Sequence, residues 1–320
     1  MNHILKIFAW TVGGLIVAAA LFVAFLQWRG IPKYETPKPT VSVITPTPET
    51  VERGERLASM LCNHCHYNDA NTMLTGKFLR DMPPMFGAVY SANITQDATH
   101  GIGKWTDAEL LVLLRTGIKP NGQYTPAYMP KFANMSDEDI RAVIAYLKSD
   151  KPEVAAQPVV AAPCEPSLFT KFLCLVAMKP YPYSEKAIAE PDTTNKVAFG
   201  KYLVQGRFAC FGCHSGDLTK VDELNPEKSF GYLGGGTEML DMEGKPIKTR
   251  NITFDTEMGI GKWSLADFTL AMKTGIVPNK QPALRYPMVP YMRMTDTEIE
   301  AIYEYLKSAP KVVNNVERTF

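Results

Sequence analysis

The sequence predicts an all-α protein with one N-terminal transmembrane helix followed by two tandem copies of a helical domain. Three observations support this fold class. A long apolar run lies near the N-terminus, a set of motifs occurs twice at nearly constant spacing, and apolar residues recur at the helical period near the end of each copy. Strand-like alternation of apolar and polar residues does not extend over a useful length.

The apolar run extends from Ile7 to Trp28 and contains 22 residues without a charged side chain. A helix of this length spans a bilayer core of about 30 Å, and Trp10 and Trp28 lie where interfacial aromatic residues occur. A cleaved signal peptide is the alternative, but its apolar core is usually about 7–15 residues long. We therefore expect residues 1–30 to form an uncleaved anchor and the Pro-rich residues 31–49 to form an extended tether.

Paired motifs indicate that one domain occurs twice. The tripeptide Asn-Ile-Thr begins at Asn93 and at Asn251, and the block Gly-Ile-Gly-Lys-Trp ends at Trp105 and at Trp263, so both motifs recur after 158 residues. Self-similarity at a fixed offset is the signature of a repeated unit. The predicted boundaries are residues 50–150 for the first domain, 151–190 for a linker and 191–320 for the second domain.

Each copy ends in a predicted amphipathic helix. Apolar residues follow the i, i+3, i+4, i+7 pattern from Ile140 in the first copy and from Ile299 in the second. A capping-box pattern precedes each stripe, with Ser136 and Asp139 in the first copy and Thr295 and Glu298 in the second. Shorter helices are predicted before each cysteine cluster and after each repeated tryptophan, at residues 53–61, 198–208, 106–115 and 264–273.

Each copy also carries one Cys-x-x-Cys-His motif. The motifs consist of Cys62, Cys65 and His66, and of Cys210, Cys213 and His214. This spacing allows the two thiols to bond the two vinyl groups of one haem, while the adjacent histidine binds the iron from the same side. We therefore predict two covalently bound haem c groups, attached through the four cysteines and ligated by the two histidines.

Two other interpretations of these motifs are disfavoured. A structural zinc site needs four ligands, and neither copy offers a second cysteine pair. A thioredoxin-like redox motif needs a βαβ context, which the sequence does not predict. A basic patch for nucleic acid is also lacking, because the formal net charge is only +1 and both domains are close to neutral.

Methionine is predicted as the second axial ligand of each iron, as is usual for a cytochrome c that carries electrons. Met129 aligns with Met288, and both lie in Pro-bounded loops before the last helix of their copy. Met135 and Met294 also align, but each directly precedes the N-cap residue, where a hydrophobic staple packs against the helix. We therefore assign Met129 and Met288 to iron, and Met135 and Met294 to packing.

Several residues are weaker candidates. His64 lies inside the first motif and is expected to face solvent rather than to bind iron. Trp105 and Trp263 are expected either to pack in the core or to contact a haem, and the sequence does not decide between these roles. The candidate partners of the haem propionates are Arg80, Lys104, Arg250 and Lys262.

Together these motifs resemble the cytochrome c family, and closely resemble the cytochrome subunits of membrane-bound alcohol, aldehyde and gluconate dehydrogenases. The resemblance covers residues 50–150 and 193–312. It implies that the first and last helices of each copy cross, with glycines allowing close approach to tyrosines, namely Gly54 to Tyr146 and Gly200 to Tyr305. Those subunits usually carry three haem domains and a C-terminal anchor, whereas this sequence predicts two domains and an N-terminal anchor.

The resemblance also implies that haem is attached outside the cytoplasmic membrane, so both domains are expected on the periplasmic side. Two irons with both axial positions filled predict an electron relay. The expected donors are a membrane-bound dehydrogenase or a quinol-oxidising complex, and the expected acceptors are a soluble cytochrome or a terminal oxidase. A dihaem peroxidase is the alternative, but it needs an iron with a displaceable ligand, which the paired methionines argue against. Because that compartment is oxidising, we expect the linker cysteines Cys164 and Cys174 to form a disulfide.

Overall fold

The computed structural model describes residues 3–278 and 282–316, and within them the chain is mostly helical, as predicted. The α-helices are α1 (His3–Arg29), α2 (Pro48–Leu61), α3 (Asn63–His66), α4 (Asp107–Thr116), α5 (Asp137–Leu147), α6 (Leu168–Val176), α7 (Lys196–Tyr202), α8 (Cys210–His214), α9 (Leu265–Thr274) and α10 (Asp296–Ser308). A π-helical turn follows α7 at Leu203–Arg207, and short 3-10 turns lie at Pro84–Phe86, Pro152–Val154, Leu218–Lys220 and Pro226–Lys228.

Four short strands were not predicted. They are β1 (Gly87–Ala88), β2 (Glu165–Pro166), β3 (Glu238–Leu240) and β4 (Pro246–Lys248). β1 pairs antiparallel with β2, and β3 pairs antiparallel with β4. Each has only two or three residues, too few for the period of two to be recognised in a sequence. Residues 1–2 of the predicted anchor, and residues 279–281 and 317–320 of the predicted second domain, lie outside the described residues.

Two helix pairs organise the globular part of the chain, α2 with α5 and α7 with α10. A Cβ atom placed on Gly54 of α2 would lie 1.9 Å from the Ala142 backbone oxygen, and one placed on Gly200 of α7 would lie 1.9 Å from the Ala301 oxygen. The helices therefore cross at glycines because only glycine permits this distance. The two tyrosines implied at these crossings are there, Tyr146 and Tyr305, each with its Cβ 2.8 Å from that position.

Each helix pair is the centre of a hydrophobic cluster. The first cluster is formed mainly by α2, α4 and α5, and the second mainly by α7, its π turn, α9 and α10. Met60 and Leu61 at the end of α2 pack against both clusters, so the two halves of the chain are in contact. Met135 is 1% exposed and Met294 is 2% exposed, which confirms that these two methionines have packing roles.

The helix before the second cysteine cluster differs from the prediction. The sequence predicts a regular helix at 198–208, whereas α7 ends at Tyr202 and continues as the π turn, and Ala209 adopts a left-handed φ of 47°. The second copy has two more residues between its crossing glycine and its first cysteine than the first copy has. The wider π turn takes up extra length inside a helix, and it directs Arg207 into the interior.

The predicted capping boxes differ between the copies. α10 has the complete box, because Thr295 accepts from the Glu298 amide and Glu298 accepts from the Thr295 amide. In α5 the Ser136 side chain accepts from the Asp139 amide at 3.2 Å, but the Ser136 amide donates to the Tyr202 hydroxyl at 3.0 Å instead of to Asp139. The prediction of a box at Ser136 is therefore wrong, because the Asp139 carboxylate has other partners.

Those partners form a buried charge network between the two halves. Arg207 is 1% exposed and its guanidinium contacts three carboxylates, Asp139, Glu190 and Glu298, each at a closest distance of 2.5 Å. Arg53 of α2 also binds Asp139 and Glu190. Arg56 binds Glu298 at 2.7 Å. Three arginines and three carboxylates balance, which is the arrangement that allows charges to be buried.

The predicted tether and linker both lie against the first half of the chain. The Tyr34 amide donates to the Gly122 carbonyl at 2.8 Å, and the Ile44 amide donates to Asp107 at 2.8 Å. In the linker, β2 pairs with β1 and α6 packs against α1. The tether is extended, as expected for its proline content, but its contacts fix it along the protein surface. α1 is the candidate membrane span among the described residues.

Alanine at either crossing glycine is expected to destabilise the protein. The new Cβ of Gly54→Ala or Gly200→Ala would overlap a backbone oxygen that cannot move without separating the helices, so we expect a loss of about 3 kcal/mol or more in the free energy of unfolding. Denaturant titration followed by circular dichroism would measure it. Gly212→Ala is the control, because its Cβ would lie 3.8 Å from the nearest atom. Equal stability of all three variants would contradict the close crossing.

Acid is expected to weaken the charge network through Asp139. Burial raises the pKa of this carboxyl, but Arg207 and Arg53 outweigh burial and hold the pKa below its usual range. A carboxylate with a lowered pKa stabilises the fold above its unfolded pKa of about 3.9, and this stabilisation is lost as the pH falls through the folded value. The unfolding temperature of the native protein should therefore fall more steeply below about pH 5 than that of Asp139→Asn.

Asp139→Asn itself should lose about 3–5 kcal/mol at neutral pH, because it leaves buried arginines without a charged partner. Asp69→Asn, at an exposed position, is the control and should follow the native protein at every pH. Parallel pH profiles of the native protein and Asp139→Asn would show that this carboxylate is not linked to folding.

Candidate functional site

The two Cys-x-x-Cys-His motifs adopt similar local structures. Cys62 is the N-cap residue of α3, and its carbonyl accepts from the His66 amide at 2.9 Å. α8 begins at Cys210 and ends at His214. One helical turn in each motif places the first cysteine and the histidine on one side of the chain. This is the arrangement that the haem-attachment hypothesis requires.

Both motif histidines have one ring nitrogen bound to the backbone. His66 Nδ1 donates to the Ala92 carbonyl at 2.8 Å, and His214 Nδ1 donates to the Arg250 carbonyl at 2.7 Å. Such a hydrogen bond fixes the tautomer in which Nε2 carries the free lone pair. Burial lowers the pKa of both histidines, so both rings are neutral at physiological pH. Each Nε2 is therefore prepared to bind a metal.

The motif cysteines lie in environments that disfavour thiolates. Burial raises the pKa of Cys62 to about 12, that of Cys65 to about 11 and that of Cys210 to about 12. Burial also raises the pKa of Cys213. Thiolates are the ligands that zinc prefers, so these surroundings fit thioether sulfurs, which carry no charge, better than a zinc site. Among the described residues, no group of three or more His, Cys, Asp and Glu side chains is placed to hold a metal ion.

The two aligned methionine pairs occupy different environments. Met129 and Met288 are half-buried and pack at the edges of the two clusters, in turns where the Met129 amide donates to Pro126 and the Met288 amide donates to Arg285. The fully buried pair lies inside the clusters. Met129 and Met288 therefore have the accessibility that a bond to a haem iron requires, and their assignment as ligands stays a prediction.

The weaker candidates have distinct surroundings. Trp105 and Trp263 are half-buried and pack against the first and second clusters. Lys262 pairs with Glu257 at 2.9 Å on the surface, and Arg250 donates to the Val316 carbonyl at 2.7 Å. Arg80 and Lys104 are exposed. Both tryptophans thus pack against a cluster and keep an accessible part, so a haem contact by Trp105 or Trp263 stays a prediction, as does the role of the four basic residues toward propionates.

A contact between the first motif and Tyr286 of the second half was not predicted from the sequence. His64 is stacked on Tyr286 with ring centroids 5.4 Å apart, and its Nε2 lies 3.1 Å from Asp81. Tyr286 also donates to Asp81. Burial and the hydrogen bond to Asp81 raise the pKa of Tyr286. The His64 side chain is 47% exposed, so it faces solvent as expected, and its contacts with Tyr286 and Asp81 were not predicted.

The expected disulfide between Cys164 and Cys174 is also wrong, because both are free thiols in the structure. Cys164 accepts from the Tyr90 amide at 3.3 Å and donates to the Tyr90 carbonyl at 3.1 Å. Cys174 is buried in α6. Cys164 Sγ is therefore bonded to the backbone of Tyr90 through both of these hydrogen bonds, not to Cys174.

Comparison with known proteins identifies a cytochrome c-type domain and related cytochrome c subunits. A family model described as cytochrome c oxidase, cbb3-type, subunit III matches residues 49–147. A cytochrome c subunit of alcohol dehydrogenase (quinone) from Gluconobacter oxydans (strain 621H) is 30% identical over 82% of this chain and 55% of its own length. Residues 49–147 therefore form a cytochrome c-type domain, and the chain is similar to proteins named as cytochrome c subunits.

Two further relatives agree. A fructose dehydrogenase cytochrome subunit from Gluconobacter japonicus is 30% identical over 83% of this chain and 54% of its own length. A dihaem cytochrome c-type protein from Cereibacter sphaeroides is 28% identical over 81% of this chain and 86% of its own length. The chain spans about half the length of the first two relatives. The predicted resemblance to cytochrome c subunits of dehydrogenases is confirmed.

A cytochrome c-type domain implies covalently attached haem c. The residues of this chain fit such a group, because each motif presents two cysteines next to a neutral histidine whose Nδ1 is already bonded to the backbone. Haem supplies an iron that alternates between two oxidation states. The residues of this chain would orient the histidine ligands through the Nδ1 hydrogen bonds.

Proposed function

We propose that the chain is a dihaem cytochrome c that relays electrons from a dehydrogenase to a downstream acceptor at the outer face of the cytoplasmic membrane. The observation that carries the proposal is the equivalence of the two sites. Both motifs form a short helix that ends at a histidine, and both histidines donate Nδ1 to a backbone carbonyl. Two prepared sites of one kind are what a relay needs.

In this proposal Cys62 and Cys65 attach the first haem and His66 and Met129 bind its iron. Cys210 and Cys213 attach the second haem, whose iron is bound by His214 and Met288. With both axial positions filled by the protein, neither iron offers a site for substrate. The neutral histidine and the thioether ligand favour the reduced iron, which raises the reduction potential.

The two proposed domains, residues 50–150 and 191–320, are held together by the buried charge network and by the shared contacts of Met60 and Leu61. Tyr286 of the second proposed domain stacks on His64 of the first motif, with ring centroids 5.4 Å apart. These contacts support two haems at a fixed separation, so that electrons pass between them without domain motion.

The proposed electron donor is a membrane-bound dehydrogenase. The relatives are named as cytochrome c subunits of alcohol, fructose and gluconate dehydrogenases, and the chain has a candidate span in α1. We assign the globular part to the periplasmic side, with α1 as a single-pass anchor. The acceptor is a soluble cytochrome or a terminal oxidase, and a quinol-oxidising complex is the other donor class.

Loss of a methionine ligand is expected to change one haem at a time. Met129→Ala and Met288→Ala should each lower the midpoint potential of one haem by on the order of 100 mV, because the thioether that favours ferrous iron is lost. Redox titration of the Soret and α bands would measure both potentials. Met292→Ala, at a position that is 76% exposed, is the control. If both potentials stayed at their native values in Met129→Ala, the iron of the first site would have another ligand.

The donor is expected to remain bound in mild detergent. We would isolate the full-length holoprotein from its native membrane, identify co-purifying subunits by mass spectrometry, and add candidate substrates to the oxidised complex. The proposal expects a dehydrogenase subunit and reduction of both haems by its substrate. Quinol-oxidising or oxidase subunits, with haems that only quinol reduces, would contradict the dehydrogenase as donor and leave the relay in place.

A further inference from the structure

The helix α6 has an exposed apolar face that the electron relay does not use. Leu168, Phe169, Phe172 and Val176 are each at least 36% exposed, and their spacing places them on one side of the helix. Thr170 and Cys174, on the opposite side of α6, are buried. Four large apolar side chains in contact with water on a nine-residue helix indicate a surface with an apolar partner.

The position of α6 on the candidate span identifies that partner. The Phe172 ring meets the Phe22 ring edge-on at 6.2 Å, and Lys171 donates to Gln27. Phe22 precedes Trp28, the last residue of the apolar run, by six residues, which is about 9 Å along a helix axis. If α1 crosses a bilayer, α6 therefore lies at the level where headgroups meet acyl chains.

The apolar face is held rigidly to the first half of the chain. The Phe169 ring lies 6.0 Å from the Phe86 ring, and the Thr170 hydroxyl donates to the Phe86 carbonyl at 2.8 Å. Ser167, the N-cap of α6, donates to the Met85 carbonyl at 2.5 Å. Met85 is itself 54% exposed and extends the patch. The surface is therefore built into the fold by specific contacts.

The charges around α6 suit a lipid surface. Residues 168–179 contain two lysines and no acidic residue. Lys171 lies beside Gln27 at the end of the candidate span, and Lys179 donates to carbonyls at the end of α6. Lysine stems can lie along apolar surface while the ammonium groups reach headgroup phosphates.

We propose that α6 is an interfacial helix that buries Leu168, Phe169, Phe172 and Val176 in the phospholipid bilayer and gives the cytochrome a second membrane contact beside α1. The inference rests on the proposed N-terminal anchor. The membrane would then be contacted by α1 and by α6, which are joined through the rings of Phe22 and Phe172. Contact through both helices fixes the orientation of the first domain relative to the membrane.

Lipid photolabelling tests this inference on the full-length holoprotein. The protein is reconstituted in vesicles of phosphatidylcholine and phosphatidylglycerol that contain a phospholipid with a diazirine within its acyl chain. It is then irradiated and digested with trypsin together with endoproteinase Lys-C, which also cleaves the Lys179–Pro180 bond that trypsin leaves intact. Cleavage after Lys171 releases residues 172–179 of α6, and residues 7–29 report on α1. Residues 263–273 of α9 are the control, because Leu265 and Leu270 there are also exposed.

We expect residues 172–179 to carry at least about tenfold more label than residues 263–273, because acyl chains do not reach a helix in water. Label on α1 with only control-level label on residues 172–179 would overturn the inference and leave the anchor in place. Absence of label from both would remove the anchor and this inference together. The relay is tested separately by the redox titrations, which do not depend on the membrane.

Charged variants provide a second measurement. The double variant Leu168→Glu with Val176→Glu should lower the label on residues 172–179 to the level of the α9 control. Leu265→Glu with Leu270→Glu is the matched variant and should leave that label unchanged. The Soret spectrum shows whether each variant retains its fold and haem. Undiminished label on α6 in the first variant would contradict burial of this face in lipid.

Discussion

The buried guanidinium of Arg207 is the interaction on which the arrangement of the two halves depends. It contacts Asp139 of α5, Glu298 of α10 and Glu190 of the linker. Asp139 and Glu298 are the same position in the two copies, the third residue of the last helix. Packing of the two copies against each other therefore brings two carboxylates close together, and a buried cation between them is needed to offset their repulsion. The π turn after α7 supplies that cation.

Each half then builds its site on the same frame. A glycine crossing fixes the angle between the first and last helices, and the motif follows directly from the first helix. The motif histidine is held by a carbonyl of the segment Ala92–Asn93 or Arg250–Asn251. The asparagine side chain of each segment accepts from the following threonine, Thr95 or Thr253, at 2.7 Å. The repeated Asn-Ile-Thr motif thus orients the motif histidine by shaping the loop whose carbonyl accepts from it.

Much of this arrangement could be predicted from the sequence because it is local or repeated. The helices, the two motifs and the separation of packing methionines from Met129 and Met288 follow from spacing, and the glycine crossings follow from the resemblance to cytochrome c subunits. The contacts between copies could not be predicted, because Arg207, Glu190 and Tyr286 have no counterpart in the first copy. The disulfide expectation failed for a related reason, since proximity in the linker did not reveal the hydrogen bonds of Cys164 to Tyr90.

The path of the chain between α1 and the first domain limits how the protein meets other proteins. α1 ends at Arg29, and Lys33 already pairs with Gln123. Only three residues lie between these points, which is a reach of about 10 Å. If α1 spans a membrane, a chain this short does not let the globular part move far across the membrane surface. The surface that the protein offers to a partner is then set by the orientation of one fixed body.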